Sequence, residues 1–196
     1  MTFDDFKALA RQTLRNPEQA ARWLIGQGWP MQVRWMALVL AVSLSGVLAF
    51  VSTLLFPVPE GQATILPIAG QPLVLAGMQL VAIVLGAGLM AGVGRMFGGH
   101  GRFEDALLLA VWIEAMLLIV QAAQIVVSLI LPPLAGILGI LAIALFLWLT
   151  VQFTKALHGF TSGPKVLLVM FGTLMAMGFV LSFFMAALGL MPEMPQ

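Results

Sequence analysis

Apolar residues gather in five long runs along this chain, near residues 35–56, 73–94, 106–131, 134–154 and 165–190. A helix needs about 20 consecutive apolar residues to cross ~30 Å of hydrocarbon, and in lipid a run of that length satisfies its backbone hydrogen bonds as a helix. The pattern therefore predicts an all-α polytopic membrane protein built as a bundle of five transmembrane helices. Prolines set several of the boundaries: Pro57 and Pro59 close the first span, Pro72 precedes the second, and Pro164 starts the fifth. Pro132 and Pro133 force a hard turn that makes the third and fourth spans a tight hairpin. The third run, about 26 residues or ~39 Å as an ideal helix, is longer than a crossing requires and implies tilt or a protruding end.

Ahead of the spans, residues 1–30 read as a cytoplasmic segment of two short amphipathic helices lying at the membrane interface. Thr2 with Asp5 forms a capping box, and Phe3, Phe6, Leu9, Ala10, Thr13 and Leu14 recur at helical spacing. Asn16-Pro17-Glu18-Gln19 supplies a second helix start, with Asn16 as N-cap, and that helix is expected to reach about Ile25. Arg11, Arg15 and Arg22 stand beside Trp23, Trp29 and Trp35, as suits helices whose cations meet anionic headgroups. Their simplest role is to anchor the first span; docking of a partner is the alternative. Residues 31–196 form the five-span domain.

Charge orients the bundle. All nine Lys and Arg fall on one side of the runs: Lys7, Arg11, Arg15, Arg22 and Arg34 before the first, Arg95 and Arg102 after the second, Lys155 and Lys165 between the fourth and fifth. Basic side chains collect on the cytoplasmic side, which predicts a cytoplasmic N-terminus and, after five crossings, a C-terminus on the outer side of the membrane. Arg11, Arg15, Arg22, Arg34, Arg95, Arg102 and Lys165 are accordingly expected at headgroup level. The polar, mixed-charge N-terminal segment lacks the short apolar core of a removable signal peptide.

Composition narrows the function. With 61% hydrophobic and 9% charged residues, activity has to reside in the spans or short loops. A net charge of +1 without a basic stripe gives nucleic acid no footprint, and the absence of cysteine removes disulfides and thiolate sites. No zinc-binding helix motif occurs, and the two histidines, His100 and His158, are expected in solvated or headgroup-facing loops. The glycine run from Gly92 to Gly101 lacks both the preceding strand of a dinucleotide site and the lysine of a P-loop, so it reads as a flexible turn. No catalytic, cofactor-binding or metal residue is assigned, and the chain is read as a non-enzyme without a cofactor.

Two features remain as candidate chemistry. Glu114 falls about nine residues, ~14 Å, beyond Asp105 and so near the midplane. Gln121, Ser128 and Gln124 lie roughly 20°, 40° and 80° from it on the same side of the helix, forming a polar stripe. An ionised carboxylate there is costly unless Arg, water or an amide donates to it. The stripe is either a relay or contact site, or interhelical glue in which Glu114 bonds Gln79 or Gln152. The second feature is the small-residue faces: Gly88 and Gly92 in the second span, Gly172 and Ala176 in the fifth. These are expected to pack helices together within the chain, with self-association as the alternative.

The segment Phe97-Gly98-Gly99-His100-Gly101-Arg102-Phe103-Glu104-Asp105-Ala106-Leu107 leading into the third span, with Asn16-Pro17 before a short helix and five spans, resembles the Yip (Ypt/Rab-interacting protein) membrane family in its bacterial branch. The resemblance covers nearly the whole chain, although Glu114-Ala115 occupies a region where that branch often carries a proline. It implies a five-span integral membrane protein with an internal N-terminus and no known catalytic residues. The Rab-GTPase role of eukaryotic relatives is not implied, because this short N-terminus has no counterpart of their long acidic region. The expected function is that of a scaffold, assembly or organising factor for another integral membrane protein or for itself. A small transporter or channel subunit using the polar stripe is the alternative, and a role with membrane lipids the third option.

Overall fold

In the computed structural model, which describes residues 2–57 and 72–187, seven helices follow one another: α1 (Phe3–Arg15), α2 (Pro17–Gly26), α3 (Met31–Leu55), α4 (Pro72–Met96), α5 (Phe103–Ile130), α6 (Pro132–His158) and α7 (Gly163–Ala187). No strand occurs among the described residues. The last five helices are long and apolar enough to cross a membrane, so the architecture is the expected five-span helical bundle. Residues 58–71, between the first two runs, and the end of the fifth run lie outside the described residues.

Local chemistry sets the helix ends. Thr2 accepts a hydrogen bond from the Asp5 amide at 3.2 Å, and Asp5 accepts one from the Thr2 amide at 2.7 Å, closing the predicted capping box. Those bonds, the Thr2 backbone amide foremost, hold the Asp5 carboxyl below its ordinary pKa. Asn16 caps α2 through the Gln19 amide at 3.3 Å, with Pro17 in the first turn. Between α5 and α6 a single residue, Leu131, intervenes; Pro132 has no amide hydrogen to lose at the start of α6. α5 runs unbroken over 28 residues, without a kinking proline.

α5 is the axis of the molecule. From Ala106 to Met116 its residues are buried on nearly every side, because α3 and α4 cover one flank, α6 another, and α1 with α2 the remainder. The N-terminal helices pack into the bundle: Leu9, Ala20, Ala21 and Leu24 share a core with Leu108, Leu109, Trp112, Ile113, Leu149 and Phe153. The Thr13 hydroxyl donates to the Leu9 carbonyl at 2.8 Å and accepts from the Trp112 indole N–H at 2.9 Å. Phe6 meets the same indole edge-on, 5.3 Å between centroids. Of the predicted greasy face, Phe3 and Leu14 stay exposed. Glu18 on α2 pairs with Lys155 on α6, fastening the second contact.

The small-residue faces depart from expectation. A side-chain carbon placed at Gly88, Gly92 or Gly172 would meet nothing within 4 Å, and Ala176 is exposed. The close helix contacts are made elsewhere: Ala87 and Ala91 of α4 pack in one cluster with Leu38 and Val42 of α3 and Leu107 and Val111 of α5. Alanine methyls at those positions fill the interface, which leaves Gly88 and Gly92 beside it.

Replacing Trp112 separates these contributions. Trp112→Phe deletes the donor to Thr13 and is expected to cost about 1 kcal/mol. Trp112→Ala, which also empties the pocket beside Phe6, is expected to cost about 3–5 kcal/mol. Both are read from the unfolding midpoint in detergent, and the alanine variant is further expected to become trypsin-sensitive after Arg15.

Candidate functional site

Three spans bring their polar residues to one place. Ser45 of α3, Gln79 of α4, and Glu114 and Gln121 of α5 form a closed set of hydrogen bonds within the apolar bundle. The two amide hydrogens of Gln79 go to Glu114 Oε1 at 2.7 Å and to Ser45 Oγ at 3.2 Å. Ser45 Oγ donates in turn to Gln121 Oε1 at 3.2 Å, and the Gln121 amide donates to the Ser45 carbonyl at 3.4 Å. Glu114 is 9% exposed, and no buried side-chain polar atom among the described residues lacks a partner. In hydrocarbon such groups have only one another, so each bond fixes the rotation of one helix against the next.

The predicted stripe divides in two. Glu114 and Gln121 face α3 and α4, whereas the Gln124 amide donates to the Ala135 carbonyl of α6 at 3.2 Å and Ser128 bonds back to the Gln124 carbonyl at 2.8 Å. Of the two partners weighed for Glu114, Gln79 is the one in contact. Gln152 instead accepts from Lys155 at 3.3 Å. Ser45 was not expected in this set: it stands two residues after Ser43 in the first apolar run, and its role depends on which helix it meets.

At the basic end of the bundle two residues depart from their expected places. Arg34, expected at headgroup level, is 5% exposed; its guanidinium reaches Asp105 at 2.9 Å and the Trp29 carbonyl at 2.8 Å. The reason is that Asp105, at the start of α5, faces α3 and offers the guanidinium a carboxylate within the bundle. Arg102 pairs with Glu104, and Arg22 with Glu18 at 3.3 Å, both arginines remaining solvent-facing. Arg11, Arg15, Arg95 and Lys165 are exposed.

His158, expected in a polar loop, closes α6 as a buried residue. The Gly101 amide donates to its Nδ1 at 3.0 Å, so Nε2 carries the hydrogen that goes to the Met90 carbonyl at 2.9 Å. A side-chain carbon on Gly94, Gly99 or Gly101 would overlap the imidazole ring. The glycine run is therefore a sleeve for His158, and Phe160 stacks on the ring at 5.3 Å. His100 stays exposed on the same turn. The density of glycines was the legible trace of this site, though it did not say what they surround. Among the described residues no group of three His, Asp or Glu could hold a metal.

Among known protein families, the model described as the Yip1 domain matches residues 11–184 of the chain. No curated protein and no solved structure matches the chain.

Two substitutions test the geometry. Glu114→Gln keeps a carbonyl for Gln79 and is expected to leave the unfolding midpoint nearly unchanged, while Glu114→Leu loses the bond and costs about 0.5–1.5 kcal/mol. Gly101→Ala is expected to displace His158 and lower the midpoint by more than Gly98→Ala, even though Gly98 has φ of +85°.

Proposed function

The chain belongs to the Yip1 domain family, and from that premise we propose that it is a non-enzymatic scaffold in the membrane, one that organises or assists assembly of another integral membrane component or of its own copies. It lies in a bacterial inner membrane, with the N-terminus cytoplasmic and the C-terminus outside; the one-sided distribution of all nine Lys and Arg supports that orientation. The observation that carries the contact reading is how the polar groups of the spans are used. Glu114, Gln79, Ser45 and Gln121 are engaged with one another and Gln124 with a carbonyl, so the surface offered to neighbours is apolar helix.

The uncovered glycines point the same way. Gly88, Gly92 and Gly172 leave open space on α4 and α7, and small residues let a neighbouring helix approach closely. The rival reading, a transporter or channel subunit, needs a continuous polar path along α5. The division of the stripe between α3–α4 and α6 speaks against one within a single chain.

Photo-crosslinking from Gly172 in native membranes, joined with accessibility of a cysteine at Gln121, separates the readings. The contact role predicts a discrete protein adduct at Gly172, retention of the same protein through mild extraction, and no labelling of Gln121→Cys from water. A lone monomer with no protein adduct, or rapid aqueous labelling at Gln121→Cys, would overturn it.

A further inference from the structure

α7 rests chiefly on α6, and on its α4 side it leaves a groove of about 420 Å³. We propose that this groove is a site for one acyl chain of an anionic phospholipid whose headgroup sits at Lys165. The argument starts from length. The mouth lies at Phe97, Ser162 and Lys165, where α4 ends and α7 begins, and the deep end lies at Gly86, Phe146 and Leu174. Gly86 precedes the end of α4 by about ten residues, or ~15 Å of helix. That is half of a ~30 Å hydrocarbon core, the depth of a single leaflet.

The lining selects a chain over a polar solute. Thr150, Thr154 and Thr173 line the groove, yet each hydroxyl donates to a carbonyl one turn back on its own helix, at 2.7, 2.7 and 2.8 Å. With their hydroxyl hydrogens already engaged they stand in the lining beside Leu89, Val93 and Met170.

Charge identifies the headgroup. Lys165 is exposed in the first turn of α7, makes no ion pair among the described residues, and has no acidic residue in that turn. A cation beside the positive end of a helix dipole is unfavourably placed unless an anion lies between them. A phosphate at the mouth, with its chain running down the groove, supplies that anion.

The test uses the full chain in nanodiscs that contain phosphatidylglycerol with a photoreactive acyl chain, against phosphatidylcholine with the same chain, and adducts mapped by mass spectrometry. Phosphatidylglycerol adducts are expected to concentrate on the groove segments of α4 and α6. Gly86→Leu fills the groove, and its first side-chain carbon meets nothing within 4 Å, so the adducts are expected to disappear. Gly88→Leu adds the same bulk about 200° around the helix, where adducts are expected to persist. Lys165→Gln, a surface change that preserves the fold, is expected to reduce the preference for phosphatidylglycerol about fivefold, the effect of one cation at an anionic leaflet. Adducts spread evenly over all lipid-facing helices, an unchanged preference in Lys165→Gln, or groove adducts that persist in Gly86→Leu would each overturn the proposal.

Discussion

Inside hydrocarbon a polar side chain has no water to return to, and the arrangement of this bundle follows from where each such group finds its partner. Glu114 and Gln121 on α5 draw in Ser45 from α3 and Gln79 from α4; Gln124 draws in the start of α6. Apolar packing alone discriminates weakly between rotations of helices surrounded by lipid, since a tail is as apolar as a leucine. A few bonds among amides and one acid therefore specify the register that many leucines fill.

The second level of organisation is enclosure. Half of α5 is surrounded, and two short helices ahead of the spans complete the ring by offering Leu9, Ala20, Ala21 and Leu24. Ion pairs at the basic end then tie the pieces across long stretches of chain: Arg34 with Asp105, and Lys155 with Glu18. The outlying α7 is held less completely, which is why a groove exists beside it.

What could be read from the sequence follows a physical division. Spans, the α5–α6 hairpin and both helix caps depend on periodicity, proline and local bonding, and each is visible within a short window. Glu114 and Gln79 could be matched because so few polar residues enter the spans. Arg34 could not be placed, because a rule that sends cations to headgroups does not see a carboxylate 71 residues away. His158 and its glycines were misread for the same reason: three absent side chains announce a close approach without naming the ring that makes it. The packing glycines failed conversely, since alanines one position away had already formed the interface.

The docking of α1 against α5 also has a bearing on how the molecule is made. Thr13 and its partner Trp112 are separated by 99 positions, and Glu18 and Lys155 by 137. At a synthesis rate of about 5–20 residues per second, the leading segment waits roughly 5–30 s for the surfaces that will cover it. During that interval its apolar stripe has no native counterpart, and an amphipathic helix so exposed lies most favourably on the bilayer surface. The same stripe thus serves the nascent chain first as a resting place beside the ribosome and later as a wall of the finished core.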